Sequence, residues 1–366
     1  MRTWHGRSGS TDQRVPVRDD LRDIEPYGAP QLVVPVRLNT NETPEPPPAQ
    51  FQAAVRARLV SLDLHRYPDR EVRSLRQRLA LLEGLTPGRT WAANGSNEVL
   101  LQLLQAYGGP GRRLLLFRPG YSMYPLLART TLTEVVTVDL PDDFVLSSSL
   151  AREAVTAHHP DLVMLAHPNN PTGIAVAVDA VRALHESSRA LVIVDEAYVE
   201  FGATSMRPLL DSLPRLVVTR TFSKAYRLAG LRLGYLLAHD WVVDDLRRVR
   251  LPYHIDTLKQ VIAECALDHA PTMLSHIPRV VAERERVAEG LAATGGVEAY
   301  PSAANFILFR TPVPDLFQRL LDRRVLVRDF SRQPRLGGCL RVTIGTRGED
   351  DAFLQALAEA LADSPA

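Results

Sequence analysis

The chain has 366 residues, 45% of them hydrophobic and 23% charged, enough for about two domains with cores of their own. Its 43 Lys and Arg residues offset 42 Asp and Glu residues, and a formal net charge of +1 gives no global field favouring nucleic acid or a membrane surface. Two cysteines, Cys265 and Cys339, exclude a disulfide framework and form no metal-binding pair, which predicts a reducing, cytoplasmic setting and no metal site.

Residues 1–20 are polar and read as a flexible N-terminal segment, without the apolar run of a secretory leader. Apolar runs elsewhere fall well short of the roughly 20 residues that span a bilayer. The proline-rich TPEPPPAQ, 43–50, connects into a predicted helix, FQAAVRARLVSL, with apolar and arginine positions at helical spacing. WAANGSNEVLLQLLQAY then offers a Gly-Ser-Asn turn opening a helix, whose free N–H groups at Gly95 and Ser96 suit a phosphate or simply a cap.

The middle third repeats one pattern: a short apolar run stopping abruptly at polar, Gly or Pro residues, at 112–121, 161–173, 190–198 and 215–224. Such runs suit strands buried on both faces, and helical stretches between them predict an α/β fold with a mostly parallel central sheet and helices on both faces. Ligands bind at the carboxyl edge of such sheets, so His167, Asn169, Asn170, Asp195, Tyr198, Ser223 and Lys224 are expected to converge there. From about 270 the alternation of helices with ANFILF, VLVRDF and LRVTIGT predicts a smaller α+β domain.

Lys224, in TFSKAYRLAGLRLGY, is one of only two lysines. Unlike arginine, a lysine can lose its proton and act as a nucleophile, and burial favours that form. A chance surface lysine remains the plainer alternative, as Lys259 illustrates. Asp195, closing LVIV, would be costly to bury without a cation or good hydrogen bonds; a protonated pyridine nitrogen is one partner, and an ordinary salt bridge or cap another. Arg232 offers a bidentate clamp for phosphate, Tyr121 a face for a flat ring, and Gly230 and Gly234 room for close backbone approach.

Together LNTNETP, RYPD, NGSNE, PGYSMY, PNNPTG, VDEAYVEF, TFSKAYRLAGLRLGY, PSAANF and VLVRDF with CLRVTIGT resemble the fold-type I pyridoxal-phosphate aminotransferases, and within them the histidinol-phosphate aminotransferase group. The resemblance runs from about residue 20 to the C-terminus and implies a large cofactor-binding domain over 45–255 and a small domain made of 21–44 and 256–366. It makes Lys224 the Schiff-base lysine and proton shuttle, and Asp195 the pyridinium partner. Asn170 and Tyr198 would bond the ring hydroxyl, Tyr121 would stack on the ring, and Gly95, Ser96, Ser223 and Arg232 would hold the phosphate. Tyr67 would reach that phosphate from the other subunit of a homodimer.

On the substrate side the resemblance implies Arg341 for the α-carboxylate, Arg328 with Tyr27 for a substrate phosphate, and Asn39 and Asn305 lining the same pocket. NETP in place of NENP, and Asp256 and Lys259 in LPYHIDTLKQ, depart from the pattern on what is expected to be the substrate side. The implied reaction is transamination between histidinol phosphate and 2-oxoglutarate. An aminotransferase for aromatic or specialised-pathway amino acids and a phospho-amino-acid decarboxylase stand as alternatives. The short segment before residue 20 and the neutral charge argue against a DNA-binding sensor, and the missing GxGxxG against a nicotinamide enzyme.

Overall fold

The computed structural model describes residues 15–22, 24, 28 and 30–363. A short strand, β1 (Val36–Arg37), leads to helices α1 (Ala49–Leu59) and α2 (Arg73–Glu83). Strands and helices then alternate through β2 (Thr90–Ala93), α3 (Ser96–Tyr107), β3 (Arg113–Arg118), α4 (Met123–Thr130), β4 (Glu134–Asp139), α5 (Ser148–His158), β5 (Leu162–Ala166), α6 (Val178–Glu186), β6 (Leu191–Asp195), β7 (Leu216–Thr221), β8 (Gly234–Leu237) and α7 (Asp240–Val249). Beyond them come α8 (Thr257–Asp268), α9 (Ala270–Leu274), α10 (Ile277–Ala292), β9 (Glu298–Ala299), β10 (Phe306–Arg310), α11 (Leu316–Asp322), β11 (Val325–Leu326), β12 (Arg328–Asp329), β13 (Cys339–Thr343) and α12 (Arg347–Ala362).

A seven-stranded sheet runs in the order β2-β8-β7-β6-β5-β3-β4. Strand β8 is antiparallel to both neighbours, and the other pairings are parallel. Side chains of β6 alternate between two cores: Leu191 and Ile193 meet Leu103 of α3, Leu127 of α4 and Leu246 of α7, whereas Val192 and Val194 join the cluster holding Leu79 of α2, Val155 of α5 and Leu184 of α6. Helices therefore cover both faces, which is why the strand runs are apolar throughout. Each such fully buried aliphatic side chain contributes about 1.5–3 kcal/mol.

The C-terminal region builds an antiparallel sheet, β12-β13-β10-β9, against a core that includes Val287 of α10, Leu320 of α11 and Phe353 of α12. Strand β1 pairs in parallel with β11, Val36 beside Val325, which ties the early chain to this region. Sequence texture sets the small domain's start at 256; Ala263, Ala266 and Met273 bury in a core that also takes in Leu79 of α2 and Leu308 of β10, and α8 packs on α1 and α2. The apolar face of α8 is what those helices cover. Asp256 begins α8 as its cap, its side chain accepting from the Lys259 backbone N–H. No helix among the described residues is long and apolar enough to cross a membrane.

Candidate active site

In the large sheet, β5, β6 and β7 succeed one another in one direction from β3 while β4 lies on its other side, so the topology switches between β3 and β5. A crevice opens at the carboxyl ends of strands at such a point. Tyr121 follows β3, Asn170 follows β5, Asp195 ends β6, and Ser223 and Lys224 follow β7. All five line one cavity of about 400 Å³, with Asn39, Ser96, Tyr198, Arg232, Arg328 and Arg341.

At one end, α3 begins immediately after Gly95, which adopts φ +89°. A Cβ on Gly95 would lie 3.0 Å from Arg232 Nη2, so glycine there meets both a backbone and a packing demand. Gly234 is tighter still: a Cβ would come within 2.3 Å of the Ser96 nitrogen. Around Gly230 the space is open, so the expected close approach holds at Gly234 alone. Ser223 Oγ accepts hydrogen bonds from Arg232 Nη1 at 3.2 Å and Thr221 Oγ1 at 3.0 Å. The first turn of α3 at Ser96, a hydroxyl and a guanidinium thus meet where a phosphate would be held, whereas the Gly95 N–H already donates to the Ala93 carbonyl at 2.8 Å.

Asp195 is 5% exposed and forms no ion pair among the described residues. Its two oxygens accept from Thr219 Oγ1 at 3.1 Å and Tyr124 Oη at 3.2 Å, and burial nevertheless pushes its pKa up to about 6. A buried carboxylate served only by neutral donors suits a cationic ring nitrogen. Lys224 Nζ donates to the Thr40 carbonyl at 2.9 Å. Burial pulls its pKa down to about 7, with Arg341 and Arg232 reinforcing the shift and Glu42 opposing it. Such an amine is available as a nucleophile and base near neutrality. A phosphate cradle, a carboxylate and a reactive amine around one space fit a flat, phosphorylated heterocycle.

Arg341, 5% exposed, donates to the Asn39 carbonyl at 3.0 Å and to Asn170 Oδ1, and lies over the rings of Phe306 and Phe330. Arg328 is its direct cross-strand partner and donates to the Gly28 carbonyl at 3.2 Å.

The model for the family "Aminotransferase class I and II" matches residues 34–357. The chain belongs to this family. Among proteins similar to this aminotransferase is the histidinol-phosphate aminotransferase of Frankia casuarinae, 48% identical and aligned over 96% of this chain and 91% of that one. The crystal structure of histidinol-phosphate aminotransferase from Sinorhizobium meliloti in complex with pyridoxal-5'-phosphate superposes with a TM-score of 0.82 at 26% identity, covering 90% of this chain and 91% of that one. L-threonine-O-3-phosphate decarboxylase from Porphyromonas gingivalis shares the fold, with a TM-score of 0.79 at 24% identity over 90% of this chain and 100% of that one.

Several expected residues of the aminotransferase stand elsewhere. Asn305, 1% exposed, does not line the cavity; its amide donates to the Asn41 carbonyl at 3.2 Å from behind. His167 and Asn169 are scaffold: His167 bonds the Val176 N–H and Thr204 carbonyl, and Asn169 donates to the Pro119 carbonyl and Thr172 Oγ1. Tyr67 is 81% exposed and stacks on Tyr253 away from this chain's cavity, ring centroids 4.5 Å apart. Tyr27 lies outside the described residues. Asp256 and Lys259 are not on the substrate side: Lys259 Nζ donates to Asn94 Oδ1, next to the Gly95 turn, and pairs with Asp256 at 3.2 Å.

Sequence reasoning passed over Thr219, Tyr124 and Asn41. Thr219 interrupts an apolar strand directly beside Asp195 in the β6–β7 register, a signal visible only once the strands are paired. Asn41 is 1% exposed at φ 54° and donates to Tyr198 Oη at 3.0 Å. The second asparagine of LNTNETP was its only trace in the sequence.

Proposed function

We propose that this aminotransferase uses pyridoxal 5'-phosphate to exchange the amino group of histidinol phosphate with 2-oxoglutarate, giving imidazole-acetol phosphate and glutamate, as a cytoplasmic homodimer of histidine biosynthesis. The cofactor, when bound, supplies an electron sink and a carbonyl carbon that exchanges with amines. Gly95, Ser96, Ser223 and Arg232 hold its phosphate, Tyr121 covers its ring, and Asn170 and Tyr198 bond its ring hydroxyl. Asp195 keeps the ring nitrogen protonated. Lys224, its amine freed when the substrate amine takes its place on the cofactor, would accept the proton from the substrate Cα and hand it to the cofactor carbon, and the second half-reaction would run the same transfer backwards.

Arg341 binds the α-carboxylate of glutamate and 2-oxoglutarate in a two-bond fork. Arg328 and Tyr27 bind the phosphate of histidinol phosphate, and Asn39 lines their pocket. Tyr67, exposed here beside Tyr253 with Leu64, Leu251 and Leu258 also exposed, completes the partner subunit's phosphate site. An apolar patch of that kind belongs at an interface.

The observation that carries the substrate choice is Arg328, a third arginine lining the cavity after Arg232 and Arg341, placed directly across from Arg341 where a substrate phosphate can meet it. Assays with histidinol phosphate and 2-oxoglutarate test it, with phenylalanine as the phosphate-free comparison. Arg328→Ala should lower kcat/KM for histidinol phosphate by about 10- to 100-fold, the loss of charged hydrogen bonds, and leave phenylalanine turnover unchanged. Turnover of phenylalanine but not histidinol phosphate would assign an aromatic aminotransferase. Release of carbon dioxide from a phospho-amino acid without a keto acceptor would assign a decarboxylase.

A further inference from the structure

Asn41 touches Tyr198 without being one of the residues expected to serve the reaction. Its backbone sits in the left-handed region at φ 54°, a conformation that asparagine tolerates better than most residues. Two hydrogen bonds hold its side chain, and a third, from its backbone N–H, orients them. The Asn41 backbone N–H donates to Thr343 Oγ1 at 3.0 Å, so that hydroxyl has its own proton to give, and it donates to Asn41 Oδ1 at 3.1 Å. The amide oxygen is thereby turned to Thr343 and the amide nitrogen to Tyr198, 3.0 Å from Oη. Asn305, bonded to the Asn41 carbonyl, closes the arrangement from behind.

An amide nitrogen can only donate, so Tyr198 Oη is the acceptor in that bond, and its own proton points away from Asn41. Resting on the functional reading above, we infer that Asn41 is a positioning residue that sets the hydrogen-bond polarity of Tyr198, compelling the phenol to donate to the ring oxygen of the cofactor. A donor to that oxygen favours its anionic form. The direction originates in a backbone N–H of the β1–α1 segment and passes through Thr343 of β13 before it reaches the large sheet, so the small sheet orients a group of the cofactor site.

The test uses cofactor-loaded full-length protein and reads the midpoint of its visible-absorbance pH titration together with the dissociation constant for pyridoxal 5'-phosphate. Asn41→Gly removes the amide where glycine accepts the backbone conformation. The midpoint should rise by about half to one pH unit and the cofactor should bind roughly 3- to 10-fold more weakly, the worth of one hydrogen bond. Thr343→Val, which frees the amide to turn over, should move the midpoint the same way, and Thr343→Ser should restore it. In a Tyr198→Phe background the Asn41→Gly shift should vanish, whereas a purely structural role would give the same shift with and without the phenol. An unchanged midpoint in Asn41→Gly, or an equal shift in both backgrounds, overturns the role of Asn41 alone. Failure of the unmodified chain to take up the cofactor overturns this role and the functional reading together.

Discussion

Arg328 and Arg341 occupy directly opposed positions on neighbouring antiparallel strands, and both line the cavity that holds Lys224. Directly opposed residues share one face of a sheet, where like charges repel. An anion between or beside them relieves that repulsion. Glutarate, a dicarboxylate with no amine or keto group to react, should therefore raise the melting temperature of the cofactor-loaded protein in a saturable way, by about 2.7 kcal/mol of stability at one hundred times its dissociation constant. Arg341→Gln should abolish the increment in a calorimetric scan, and an undiminished increment would remove Arg341 from the carboxylate site.

The two shifted groups give the cofactor-free protein a definite pH dependence. Lys224 titrates near 7 when folded against 10.5 for the ordinary amine, so between those values the unfolded chain binds more protons and stability rises with pH. Asp195 titrates near 6 against 3.8, so between those values the folded chain binds more protons and stability falls as pH rises. Together they predict a stability minimum between about pH 6 and 7. Urea unfolding across pH 5–10 checks it: Lys224→Met should lose the rise above 7, and Asp195→Asn the fall below 6.

Two glycines in one stretch separate a packing role from none. Gly234→Ala drives a methyl into the Gly95–Ser96 backbone and should cost about 1–3 kcal/mol and weaken cofactor uptake, whereas Gly230→Ala meets open space and should stay within about 0.5 kcal/mol. Denaturant midpoints with cofactor titrations distinguish them, and equal costs at both sites would contradict the crowding at Ser96.

Lys259, paired with Asp256, is bonded to Asn94 beside the Gly95 turn. Lys259→Ala loosens Asn94 beside the phosphate turn and should raise the dissociation constant for pyridoxal 5'-phosphate with little change in KM for histidinol phosphate. Asp256→Ala removes the cap of α8 and should cost about 1 kcal/mol in chemical denaturation. A change confined to substrate KM would return these residues to the substrate pocket.

The strands were legible because each apolar run is covered on both faces, and the residues closing those runs were legible as a site because a parallel sheet presents its carboxyl ends together. What escaped notice depends on pairing or on folding back. Thr219 becomes a partner of Asp195 only through register, and α8 reads as part of the C-terminal texture until α1 and α2 are seen to cover it. Asn305 lies in PSAANF, and the turn before β10 places it behind Asn41 rather than in the cavity. Asp256 and Lys259 were misplaced because nothing local says that α8 begins beside Asn94.

The bond from Thr343 to Asn41 also sets an order in time. During synthesis Asp195, Tyr198 and Lys224 emerge, with their whole parallel sheet, well before β13 leaves the ribosome. Until β10, β11 and β13 have all arrived, the loop bearing Asn41 lacks in turn Asn305, the β11 partner of Val36 and, last, Thr343. A nascent chain can thus fold its nucleophile into place while its cofactor pocket still lacks one wall, and tight capture of the cofactor becomes one of the last events in the maturation of the enzyme.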